Sequence, residues 1–210
     1  HRDIHVAEAD ARKARVHVSP AQQQVVYSTV TNPSDVGMDL KPANVTGVSD
    51  VVNYRANIDL IQQLFPRARR IGMVYNAGER NSQFGITAVK EIAAERGLEL
   101  KLATVSKSDE VVNAVRGLLE AVDVIYVGSD NTVVSAIEGL TKVAYDRKVP
   151  VIASDVGSVT GGALAAVSVD YKGLGHKVGE IVADLLKNGK NAGGIAPVSF
   201  LGNSLILNES

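Results

Sequence analysis

The chain has 210 residues, 45% hydrophobic and 21% charged, with a formal net charge of −1. That balance leaves no electrostatic footprint for nucleic acid and no polybasic membrane patch, and no apolar run approaches the roughly 20 residues that cross a bilayer. With no cysteine, disulfides, thiolate chemistry and cysteine-based zinc sites are excluded, and 4% aromatics with no Trp argue against a stacking platform for single-stranded nucleic acid.

The first segment, "HRDIHVAEADARKARVHV", is charged and weakly amphipathic, and reads as a solvated helix face. Val25 to Val30 is a good strand that runs into the Thr-Asn-Pro turn of "TNPSD". "MDLKPANVTG" follows as a linker, because it holds proline and glycine and lacks periodicity. From Asn44 onward two patterns alternate. "NYRANIDLIQQLFP" has helical spacing and Pro66 stops it; "RIGMVY" is a short apolar strand; "SQFGITAVKEIAAERG" is a helix ended by Gly97. "LELKLATV" alternates as a strand near a sheet edge would. "SDEVVNAVRGLLEA" is a helix capped by Ser108.

"VDVIYVG" is another strand, "NTVVSAIEGLTKVAYDRK" a helix, "VPVIAS" and "GGALAAVSV" two more strands. "YKGLGHKVGEIVADLLKNGK" is a helix stopped at Asn188-Gly189, and "IAPVSF" and "SLILN" are short terminal strands. This order predicts an α/β, doubly wound, mostly parallel sheet with helices on both faces. "IGMVY", "VDVIYVG" and "VPVIAS" are continuously apolar, as strands buried on both faces are.

In an open parallel sheet, ligands bind beyond the carboxyl ends of the strands. Each strand here ends in a polar cluster: "TNPSD" with Thr31 and Asp35, "NAGERNS" with Asn76, Glu79, Arg80, Asn81 and Ser82, "SDNT" with Asp130, Asn131 and Thr132, "SDVGS" with Ser154, Asp155 and Ser158, then Asp170. Taken singly, each has a structural reading: Ser82 as a helix N-cap, Asp130 or Asn131 as the next cap, and the asparagines as turn formers. Taken as a set they share one sheet edge with the helix N-termini, whose free N–H groups and partial positive charge suit a small ligand with an anionic end. Asp130, Asp155 and Asp170 could hold a cationic or hydroxylated end.

Catalysis is less expected. None of the four histidines lies in a strand-end loop to serve a serine nucleophile. The dinucleotide and P-loop glycine motifs are missing. Paired aspartates remain able to do acid–base work. No metal ligands with the right spacing and no cofactor are expected.

Several motifs occur together in order and spacing: "NVTGVSD", "RIGMVYNAGERNS", "VDVIYVGSDNTVVSAIEGL", "VPVIASDVGSVTGGALAAVSVDYKGLG" and "GEIVADLLKNGK". From about Val25 to about Asn208 the chain resembles the substrate-binding proteins of ABC transporters, in the subfamily associated with tryptophan and other aromatic amino acids. The resemblance implies a type I periplasmic-binding fold: two doubly wound lobes that close on an amino-acid-like ligand in an interlobe cleft, without catalysis. Residues 1–44 are then a partial first lobe and crossing, 45–168 the second lobe, and 169–210 the return to the first lobe and hinge. Thirty residues precede Thr31, where family members have several βα units, so the first lobe is expected to be incomplete.

By the same resemblance, Thr31 and Asp35 contact the ligand from the first lobe. Asn76, Glu79, Asn81 and Ser82 hold its carboxylate; Asp130, Asn131 and Thr132 line the cleft. Ser154 and Asp155 lie near its amino group with Asp155 as counter-ion, and Asp170 is a hinge residue. The implied partners are the ligand and ABC permease subunits in the membrane, with no nucleic acid. The protein itself is expected to be a monomer, periplasmic or extracellular, with a lipid anchor in the full-length form. The alternative is the same fold used as a ligand-sensing module of a receptor or regulator.

Overall fold

A computed structural model describes residues 4–8, 24–33 and 43–209. Their contacts divide into two compact units: His1–Val51 with Val169–Gly202, and Val52–Ser168 with Asn203–Ser210.

The first unit has a four-stranded parallel sheet in the order β1-β2-β3-β9, from β1 (Ile4–Glu8), β2 (Gln24–Ser28), β3 (Val45–Val51) and β9 (Val198–Leu201). Strand periodicity sends Val26 and Val48 to one face, where they pack on Leu174, Val178, Ile181 and Leu185 of helix α7 (Tyr171–Asn188). Val25, Tyr27, Val30 and Val45 cluster separately. Asp170 caps α7 by accepting from the Gly173 amide at 3.0 Å, and Gly189, at φ 63°, ends it in the left-handed conformation expected there.

Two expectations fail in this unit. Ile4–Glu8, read as part of a solvated helix face, is a strand parallel to β2. Val45–Val51 belongs to neither a linker nor the second unit. It is a buried strand between β2 and β9, so pairing places it in the first unit. Its Thr46, Ser49 and Asp50 are buried polar residues, and they mask the apolar signature of an inner strand. Thr46 Oγ1 donates to the Ile195 carbonyl at 2.8 Å. Gly47 faces Tyr27 across the ladder; a Cβ there would stand 2.3 Å from the Tyr27 carbonyl oxygen.

The second unit is a six-stranded sheet in the order β10-β8-β7-β6-β4-β5. Its strands are β4 (Arg70–Asn76), β5 (Glu99–Val105), β6 (Val124–Val127), β7 (Val151–Ala153), β8 (Ala165–Ser168) and the antiparallel β10 (Ser204–Leu207). Helices α1 (Tyr54–Leu64) and α2 (Arg80–Glu95) bury Ile58, Ile61, Ile86 and Val89 against one face. Helices α3 (Val111–Leu118) and α5 (Ile137–Asp146) bury Val111, Val115, Leu140 and Ala144 against the other. The apolar β6 and β7 and the apolar stretch Ile71–Tyr75 of β4 are interior, and alternating β5 is an edge, as their patterns predict.

Boundaries differ in three places. The helix expected over 131–148 is two: α4 (Asn131–Val134) and α5, broken at Ser135–Ala136, where the Ser135 hydroxyl bonds back to the Thr132 carbonyl at 2.8 Å. A short helix α6 (Val156–Thr160) precedes β8. Ser108 opens a 3₁₀ turn rather than capping α3; the cap position is Glu110. Asn57, fully buried on α1, both donates to and accepts from the Val167 backbone (3.0 and 2.8 Å), serving β8 beyond the short β7.

Among the described residues no helix is long and apolar enough to cross a membrane.

Candidate functional site: the carboxyl edges of the two sheets

In the second unit, β4 lies between β5 and β6, so the chain leaves it first to one side and then to the other. That reversal parts the loops at the strand ends and creates the crevice where doubly wound sheets hold ligands. The loops meeting there are "NAGERNS" after β4 and "GSDN" after β6, with "SDVGS" after β7 on the neighbouring strand.

Their polar residues bind one another first. Asp130, 4% exposed, caps α4 through the Val133 amide at 2.9 Å. Its other oxygen accepts from the Asn76 amide at 2.6 Å and the Ser82 hydroxyl at 2.7 Å. Glu79, 6% exposed, is the cap residue of α2; its carbonyl accepts from the Gln83 amide at 3.1 Å, but its side chain makes no bond to that helix. Its Oε2 accepts from the Asn131 amide and side chain, both at 3.0 Å, and its Oε1 from the Thr132 amide at 3.1 Å and hydroxyl at 2.7 Å. Asn76 donates to Thr132 Oγ1 at 2.9 Å and accepts from the Gly78 amide at 2.8 Å. Each loop therefore caps or anchors the helix that follows the other.

Among the described residues neither carboxylate has a lysine or arginine partner; backbone N–H groups and hydroxyls supply the compensation. Burial alone would raise the Glu79 carboxyl. The hydrogen bonds from Thr132 and Asn131 outweigh it and hold the group below the usual carboxylate range.

Asn81 donates to the Ser129 carbonyl at 2.8 Å, while its Oδ1 makes no hydrogen bond among the described residues. Glu79, not Ser82, is the cap residue of α2, and Ser82 lies within the helix. Ser154 is buried below the edge beside the Tyr126 phenol, which burial pushes well above its ordinary value. Asp155 caps α6: one oxygen accepts from the Ser158 amide at 2.8 Å, the other from the Ser158 hydroxyl at 2.6 Å. The structure thus gathers Asn76, Glu79, Asn81, Ser82, Asp130, Asn131 and Thr132 into one connected group, with Ser154 and Asp155 at the end of the strand beside β6.

The first unit has a carboxyl edge of its own. Thr31, which follows β2, donates to Asp50 Oδ1 at 3.4 Å, and the Tyr171 phenol at the start of α7 donates to Asp50 Oδ2 at 3.2 Å. Asp35 lies outside the described residues. Asp50 is 7% exposed. Burial raises its carboxyl, against hydrogen bonds from its own backbone, Tyr171 and Thr31 that pull it down. It was not among the sequence-derived candidates, because it lies within "NVTGVSD" rather than in a loop. The available signal was an acid at the last-but-one position of a parallel strand.

Comparison with known proteins follows the same lines. The family model "ABC transporter substrate binding protein" matches residues 4–210. The tyrosine-binding protein of Clostridioides difficile is 35% identical over 189 residues, 88% of this chain and 54% of that protein. A conserved domain protein from Vibrio cholerae has a similar structure, at TM-score 0.82 and 34% identity, over 97% of this chain and 69% of that one. So does an ABC domain in complex with L-Trp from Streptococcus pneumonia, at TM-score 0.83 and 27% identity, over 98% and 70%. The chain spans about half the length of the curated relatives it matches. The fold is that of type I periplasmic-binding proteins, and the chain belongs to the ABC transporter substrate-binding protein family.

Proposed function

We propose that this protein is the solute-binding component of an ABC import system and holds a small amino-acid-like ligand, an aromatic amino acid being the leading class. The observation that supports it is the switch point between the β4 and β6 loops, where the cap residue Glu79 of the sixteen-residue helix α2 gives that helix no side-chain cap bond, beside the unpaired Asn81 Oδ1. The partial positive charge of a helix N-terminus suits a carboxylate. The relatives named for tyrosine and for L-Trp support the choice of ligand.

In this reading the sequence-derived contacts divide by role. Asn81, Asn131, Ser154 and Asp155 face or underlie the ligand, and Thr31 and Asp35 serve from the first unit. Asn76, Glu79, Ser82, Asp130 and Thr132 hold the loops in place for it. No bond of the ligand is made or broken. The loaded protein, a monomer held outside the cytoplasmic membrane by a lipid anchor, docks on the permease subunits. The family match favours this role over that of a sensor module.

The test is to denature the purified full-length protein and identify released small molecules by mass spectrometry. Titration of the emptied protein with L-tyrosine, L-tryptophan and a sugar then follows in a calorimeter. Saturable binding of an aromatic amino acid, recovered unchanged, is expected. A bound sugar with no heat from either amino acid refutes the ligand class, and a chemically altered ligand refutes the non-catalytic role.

A further inference from the structure

The carboxylates of the two sheet edges differ in how much of their hydrogen-bonding capacity is already taken. Glu79 accepts four bonds at 3.1 Å or less. Asp130 accepts three at 2.9 Å or less. Asp155, the sequence-derived counter-ion for an ammonium, has both oxygens on Ser158 at 2.6 and 2.8 Å. Asp170 is the cap of α7.

Asp50 is different. It is as deeply buried as Glu79, yet its side-chain partners are two neutral hydroxyls at 3.2 and 3.4 Å, the second at the limit of a hydrogen bond. Among the described residues no lysine or arginine pairs with it. Beyond the two hydroxyls it has a hydrogen bond from its own backbone; a buried carboxylate so held is costly unless a cation completes it. Position adds to this: Asp50 stands at the carboxyl end of β3, Thr31 follows β2 and Tyr171 opens α7, so all three are at the ligand-binding end of the first unit's sheet. Tyr171 keeps 48% of its surface exposed while its phenol reaches inward to Asp50.

We propose that Asp50, set by Thr31 and Tyr171, is the counter-ion for the primary ammonium of the ligand. This rests on the amino-acid reading above and moves the ammonium contact from Asp155 to Asp50. Binding adds to the two long hydroxyl bonds a hydrogen bond from an ammonium, charged on both sides, with no covalent step.

The experiment compares L-tyrosine with its des-amino analogue, which keeps ring and carboxylate, on the full-length protein and on Asp50→Asn. Asp50→Asn should lose affinity for L-tyrosine by about 30-fold to about 1,000-fold and bind the analogue as the parent does. Tyr171→Phe, which keeps the ring, should lose a few-fold for L-tyrosine only. Equal losses for both ligands, or no loss for either, overturn the assignment. If Asp50→Asn does not fold, the parent decides. Its affinity for L-tyrosine, whose own carboxylate stays ionised there, should fall in mild acid as Asp50 takes a proton; Thr31 and Tyr171, the side chains on Asp50, do not titrate there. An L-tyrosine affinity that stays constant through mild acid overturns it. A parent that binds neither L-tyrosine nor L-tryptophan overturns the functional reading and this inference together, whereas a binding parent matched by Asp50→Asn overturns the assignment alone.

Discussion

The loop clasp at the end of β4 and β6 makes a quantitative claim about Glu79. Replacing it with Gln keeps shape and one acceptor oxygen, but turns an N–H₂ donor toward donors it cannot satisfy. If the remaining oxygen stays on Thr132, the Asn131 amide and side chain lose their acceptor; Asn131 is exposed and recovers much of that from water. If it moves to Asn131, the buried Thr132 amide and hydroxyl are orphaned, at about 1–3 kcal/mol each. The cheaper arrangement still forfeits the charge assistance of all four bonds, so we expect Glu79→Gln to cost about 2–3 kcal/mol. For a protein of this size that is a fall in melting temperature of about 4–12 °C.

Differential scanning calorimetry at several pH values carries the test. The folded-state value of Glu79 lies below its unfolded one, so its contribution is complete above the unfolded value of about 4.3 and disappears as pH drops through the folded value. The gap between parent and Glu79→Gln should therefore be full at neutral pH and close in strong acid. Melting within about 1 °C of the parent at neutral pH, or a gap constant across pH, would refute the clasp.

Two further outcomes test other parts of the fold. Gly47→Ala sets a methyl 2.3 Å from the Tyr27 carbonyl oxygen and 2.4 Å from its ring carbon Cγ; β2 and β3 cannot part without breaking the sheet, so a loss above about 4 kcal/mol is expected, read as protease sensitivity of the first unit. Asp123 takes the Arg70 guanidinium at 2.6 Å and the Arg69 and Arg70 amides, which hold its carboxyl down to about 2. Its stabilisation is full above about 3.9 and fades toward about 2; allowing for solvent, Asp123→Asn should cost about 1 kcal/mol in urea midpoints at pH about 7, and less at pH about 3.

The second unit was largely legible from sequence, because its inner strands β4, β6 and β7 carry apolar runs and its helices carry clean apolar stripes. What escaped were elements whose chemistry departs from those patterns. β3 hides behind Thr46, Gly47, Ser49 and Asp50, whose packing partners, Ile195 and Tyr27 among them, lie far off in sequence or across the ladder. The break at Ser135–Ala136 depends on a hydroxyl turning back on its own helix, which no period reveals. At the site, the clustering of Asn76 to Ser82 with Asp130 to Thr132 followed from parallel strand order. Their mutual saturation did not, since which donor meets which acceptor is decided by loop geometry. Asp50 was passed over because it sits inside a strand.

The chain passes between units after Val51, Ser168 and Gly202, so neither is a contiguous stretch. Val48 of β3 waits for Val198 of β9, and Val167 of β8 for Leu205 of β10. During synthesis the first sheet thus stays one strand short while the intervening unit emerges from the ribosome, with the open side of β3 exposed meanwhile. No single excised segment can yield either half intact, and a nascent chain arrested before β9 should be the species that chaperones retain.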